Sequence, residues 1–144
     1  MAITITLVIA AAIITYLAYY FSNTISRPTV WPELQRITIN GDTAILQLQL
    51  SNESENAILE PRFELLDKGF ALKTDKEHNN VEVINANETV AFTLALKGEK
   101  TSSELAMSAS RAKLLLSFIT CEGEQRFTQF NLKSGMFRET RRKP

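Results

Sequence analysis

The chain has 144 residues, with 16 Lys+Arg balanced by 16 Asp+Glu, so its formal net charge is zero. That balance leaves no electrostatic footprint for nucleic acid or a polyanionic substrate. Cys121 is the lone cysteine, which excludes an internal disulfide and makes the fold depend on its hydrophobic core.

Residues Ile3 to Phe21 form an apolar run without a charge, Gly or Pro. As a helix, such a run reaches roughly 28 Å, close to the hydrocarbon thickness of a bilayer. Residues 1–21 are therefore read as a transmembrane anchor helix of a single-pass protein in the inner (cytoplasmic) membrane. A cleaved secretory signal needs a basic start and a small-x-small exit. Here nothing basic precedes the run, and the exit is Tyr19-Tyr20-Phe21. Tyr16, Tyr19, Tyr20 and Phe21 suit the interfacial belt, where amphipathic rings sit among lipid headgroups; Trp31, soon after, fits that belt or a partner contact, or equally covers the end of the core.

Thr4, Ala11, Thr15 and Ala18 share one helical face. Small side chains of this kind let a second helix approach closely, so this stripe is the expected packing interface with an integral membrane partner. The competing reading is coincidence, because Ala and Thr are common in such helices. Positive-inside logic counts Arg27 and Arg36 after the helix, which favours a cytoplasmic domain. Fold-level analogy with other tethered sandwiches places the domain outside, and the extracytoplasmic side is the expectation adopted.

Residues 22–33 read as a juxtamembrane linker, since Pro28 and Pro32 favour an extended path. A β-sandwich domain is expected over residues 34–133. Ile37 and Ile39 flank Thr38, and Asn40-Gly41 signals a hairpin. Ala44, Leu46, Leu48 and Leu50 alternate with Ile45, Gln47 and Gln49, the period-two pattern of a half-buried strand. Phe63 and Leu65 alternate with Arg62 and Glu64, and Asp67-Lys68-Gly69 turns the chain before Phe70 and Leu72. Asp75 to Asn80 reads as a solvated loop, followed by Val81 and Val83 flanking Glu82.

Val90, Phe92, Leu94 and Leu96 form a further alternating strand. Thr101 with Glu104 has capping-box spacing, so a short helix is expected near residues 102–109. Lys113 to Ile119 is nearly continuously apolar and reads as a central strand. Glu122-Gly123-Glu124 is a turn, and Arg126 to Leu132 is the last expected strand, with Phe127 out of phase as if at a bulge. Seven to nine short strands with little helix define the expected class: mainly β, an immunoglobulin-like antiparallel sandwich behind one N-terminal helix. Residues 134–144 read as a basic tail carrying Arg138, Arg141, Arg142 and Lys143. Such a tail binds anionic headgroups or an acidic partner, or else frays in solvent.

Phe63-Glu64-Leu65-Leu66-Asp67 resembles the signature of the FxLYD domain family, with Leu66 where that family usually has Tyr. Ser51-Asn52 before the turn, Gly69 after the Asp, and Asn87-Glu88-Thr89-Val90-Ala91-Phe92 are similar to the family's surroundings. The resemblance spans roughly Thr43 to Leu96. It implies a small immunoglobulin-like sandwich, often tethered to prokaryotic membranes, without a shared catalytic site.

No constellation names a reaction. His78 stands near Asp75 and Glu77, with Asp67 earlier, but the spacing matches no metal-ligand pattern. Cys121 has no histidine nearby in sequence to act as its base. Asn52-Glu53-Ser54 and Asn87-Glu88-Thr89 match the glycosylation sequon at the level of chance. No catalytic, metal or cofactor-binding residue is assigned, and no cofactor is expected. The leading expectation is a non-enzymatic accessory or structural subunit of a larger membrane complex, of respiratory or secretion type. The alternative is an independent extracytoplasmic binding or adhesion module recognising an envelope component or surface protein. An enzyme or metal-handling assembly factor is the third reading.

Overall fold

A computed structural model describes residues 2–23, 25, 28–66, 71–74, 81–98 and 102–144. Helix α1 spans Ala2–Asn23. Nothing in this stretch breaks a helix, and Thr6 and Thr15 donate their hydroxyls to the carbonyls of Ala2 and Ala11, four residues back. By length and composition α1 is long and apolar enough to cross a membrane, and among the described residues none of its side chains is buried.

The strands are β1 (Val30–Asn40), β2 (Thr43–Asn52), β3 (Ile58–Leu65), β4 (Ala71–Thr74), β5 (Val83–Ile84), β6 (Thr89–Lys97), β7 (Lys113–Thr120), β8 (Gln125–Asn131) and β9 (Phe137–Thr140). Helix α2 (Ser102–Ser110) links β6 to β7. Among the described residues all pairings are antiparallel and form two sheets, ordered β1-β2-β6-β4 and β5-β3-β7-β8-β9. The first order has the A-B-E-D connectivity of an immunoglobulin sheet, and β3-β7-β8 has that of C-F-G. β5 and β9 extend the second sheet at its two edges.

The core lies between the sheets. β2 contributes Ala44, Leu46, Leu48 and Leu50, and β6 contributes Phe92, Leu94 and Leu96, all buried. Phe118 and Phe130 are the largest fully buried side chains and come from the facing sheet. Phe63 meets Phe92 edge to face, with ring centroids 5.3 Å apart, so the strand carrying the Phe63 motif is tied to the opposite sheet. β7 reads as a continuous apolar run because both of its faces are covered. Leu114, Leu116 and Phe118 join the core, while Leu115 is buried on the outer face.

Several sequence expectations are corrected. The sandwich begins at Val30, inside the segment expected to be linker, because Val30 and Pro32 are buried in an edge strand that tolerates proline. A ninth strand occupies Phe137–Thr140, inside the segment expected to be a free tail. No register shift accompanies Phe127, whose out-of-phase position means that it is buried against the outer face. The shifts fall instead between Leu34 and Arg36 and between Leu59 and Arg62. At the second, Glu60 has φ +50° and Pro61 follows, the chemistry of a bulge rather than of a regular ladder.

In β5, Ile84 is the buried residue and Val83 is exposed, while Val81, of the Val81/Val83 pair expected on one face, is half-buried against the core. The β1–β2 hairpin turns on Gly41-Asp42 rather than Asn40-Gly41, since Asn40 pairs with Thr43. Gly41 has φ +63° at the first central position, where glycine avoids a Cβ penalty.

Candidate functional site

The strand registers put Val30, Asn52, Ile58, Thr120 and Thr140 at one end of the sandwich, the end that meets α1. A helix leaves its last carbonyls without intrahelical partners, and cations near that terminus are favoured by the macrodipole. α1 has no basic residue in its own last turn. The C-terminal segment supplies what is missing. The Arg141 guanidinium donates to the Ser22 carbonyl, and the Arg141 amide donates to the Asn23 carbonyl at 2.9 Å. The Arg142 amide donates to Asn23 Oδ1 at 3.0 Å, and the Ile25 amide donates to the Glu139 carbonyl at 2.9 Å. The chain leaving the helix is thus bonded along β9, a sheet edge that would otherwise present unpaired backbone groups.

Beneath this seam lies Glu139, fully buried and inward-facing because it pairs with Thr128. Its Oε2 accepts the Thr29 amide at 2.8 Å, and its Oε1 accepts Arg126 Nη1 at 3.1 Å. Arg126 also reaches Glu124 at 3.3 Å, and Glu124 meets Arg141 Nε at 3.3 Å. An unbroken polar chain therefore runs from Glu139 through Arg126, Glu124 and Arg141 to the last turn of α1. Arg126 Nε and Thr128 Oγ1 are buried without a hydrogen-bond partner among the described residues. Trp31 packs edge to face on Phe137, centroids 4.9 Å apart, and joins β1 to β9 across the open side of the sandwich.

Two more arginines sit over the helix's aromatic end. The Arg138 guanidinium lies 5.9 Å from the Tyr20 ring centroid, and that of Arg142 lies 5.3 Å from the Tyr19 centroid, both within cation–π range. The structure therefore brings Arg138, Arg141 and Arg142 together with Tyr19 and Tyr20. Lys143 departs from the group and pairs with Glu64 at 3.1 Å. Tyr16 and Phe21 are exposed on α1, and Trp31 is 41% exposed. Thr4, Ala11, Thr15 and Ala18 are all exposed on α1, with the Thr15 hydroxyl proton directed to Ala11 within the helix.

Sequence reasoning missed Glu139, Arg126, Glu124 and Thr29. Only a buried carboxylate in a tail that reads as solvated could have signalled them, and nothing local marks burial. Asn52 shows the same pattern. It is fully buried, its amide donates to the carbonyls of Asn56, Ile84 and Asn85, and its Oδ1 accepts from Ser54. This side chain stitches the loops together at the helix end and has no free face for a glycan.

Among the described residues, no three His, Cys, Asp or Glu side chains converge as a metal site would require. The expected His78 loop and the Asp67-Lys68-Gly69 turn lie outside the described residues. A shallow pocket of about 340 Å³ on α2 is lined by Glu104, Met107, Ser108 and Arg111. No family model matches the chain, and no curated protein matches it. Fold and site together define the class: an immunoglobulin-like sandwich bound at one end to a helix long and apolar enough to cross a membrane.

Proposed function

We propose that this chain is a non-enzymatic, single-pass accessory subunit of a larger membrane complex, of respiratory or secretion type. α1 anchors it in the inner (cytoplasmic) membrane and docks on an integral membrane partner through Thr4, Ala11, Thr15 and Ala18. The sandwich, on the extracytoplasmic side, covers or clamps the partner's exposed part. One observation carries this reading: a 22-residue apolar helix finds no burial among the described residues, yet its far end is fastened to the sandwich by Arg141 and Arg142. A helix hung on a loose linker transmits no orientation. One bonded to the last strand presents the sandwich at a set angle, as a structural subunit needs.

The resemblance to FxLYD domains, which implies tethered sandwiches without a shared catalytic site, supports the same reading. The test is crosslinking followed by purification from native membranes in mild detergent. An integral membrane protein is expected to co-purify, and its recovery to fall with Ala11→Leu and Ala18→Leu, which block close helix approach. A monodisperse monomer with no co-purifying protein contradicts the proposal.

A further inference from the structure

We infer that Arg138 and Arg142, stacked over Tyr20 and Tyr19, form a binding site for the headgroup of an anionic phospholipid beside the foot of α1. The inference rests on the reading of α1 as a membrane anchor.

Tyr19 and Tyr20 close the apolar run, at the level where amphipathic rings meet headgroups. Guanidinium groups held 5.9 and 5.3 Å from those ring centroids lie at the same level. Arg126 is matched by Glu124 and Glu139, Arg141 by Glu124, and Lys143 by Glu64. Arg138 and Arg142 have no carboxylate partner among the described residues, and both are exposed. Each keeps a planar fork of N–H donors that fits a phosphate oxygen pair.

Arg138 is fixed in β9, where it pairs with Gln129, and the Arg142 amide is bonded to Asn23 Oδ1. The two cations are therefore held by backbone beside the helix and do not have to be gathered from a frayed tail. A basic side chain near an anionic bilayer surface strengthens binding by a factor of about five. Two such arginines together are expected to give a selectivity on the order of ten-fold or more.

The test uses the full chain reconstituted in phosphatidylcholine bilayers containing a trace of spin-labelled phosphatidylglycerol or spin-labelled phosphatidylcholine. The motionally restricted fraction gives the relative association constant of the two lipids. Wild type is expected to prefer phosphatidylglycerol, and R138Q/R142Q is expected to lose most of that preference. Resistance to alkaline carbonate, measured on the same samples, reports whether α1 is inserted. Inserted protein without lipid preference overturns the headgroup site and leaves the anchor standing. Preference unchanged in R138Q/R142Q also overturns it. Loss of the preference on adding millimolar inorganic phosphate at constant ionic strength overturns the lipid assignment in favour of a soluble phosphate. Protein released by carbonate overturns both readings.

Discussion

Removing the Glu139 carboxylate is the perturbation that bears hardest on the junction between helix and sandwich. Glu139 is buried beside Arg126, whose side chain is 18% exposed. Breaking a buried ion pair by deleting one partner costs about 3–5 kcal/mol. Arg126 keeps its contact with Glu124, which is partly exposed, so the low end applies. The Thr29 amide also loses its acceptor, which adds about 1 kcal/mol. Glu139→Ala is therefore expected to cost about 3–4 kcal/mol, a fall in Tm of roughly 10–15 °C for a domain of this size. Glu139→Gln, which keeps an acceptor for Thr29, should cost about 1–2 kcal/mol.

The assay is urea and thermal unfolding of the full chain in detergent, followed by the fluorescence of Trp31. As the lone tryptophan, touching Phe137 of β9, the strand that carries Glu139, it reports on this junction. Replacing both partners, Arg126→Met with Glu139→Leu, should recover much of the loss, because an apolar pair escapes the desolvation that an orphaned charge suffers. A loss below about 1 kcal/mol for Glu139→Ala would place this pair with exposed salt bridges and refute the reasoning.

Three further outcomes are expected. Asn52→Ala strips the carbonyls of Asn56, Ile84 and Asn85 and the Ser54 amide of their partner, and should lower stability by about 3 kcal/mol in the same unfolding assay. Gly41→Ala meets no atom within 4 Å but must adopt φ +63°, so its unfolding midpoint should report a loss of about 1 kcal/mol from backbone strain alone. Cys121 is exposed on the β7–β8 turn, and a membrane-impermeant maleimide is expected to label it in intact cells if the sandwich is extracytoplasmic. Labelling only after lysis would put the sandwich on the other side.

What was legible in the chain followed from period and burial. β2 and β6 each bury one face, so their alternation announced them, and Gly123 with its φ of +81° marked the β7–β8 turn. β9 was hidden for the opposite reason. Of its inward residues one is Phe137 and the other Glu139, and a glutamate between arginines reads as solvent-exposed. Its burial depends on Arg126 and on Thr29, which lies 110 residues away, a relation no local pattern carries. The start of β1 was masked by Pro32, which excludes a central strand but not an edge. The basic character of the tail was plain, but its fastening to Ser22 and Asn23 required the fold to bring the two ends of the chain together.

The proposed function requires α1 to stay in lipid, with the sandwich fastened at its end. Native membranes washed with alkaline carbonate, with intact mass measured on the retained chain, test this directly. The chain should remain with the bilayer at a mass that includes Tyr19 to Asn23. Recovery of the protein in the wash, or of a mature form cut before Leu34, would contradict it.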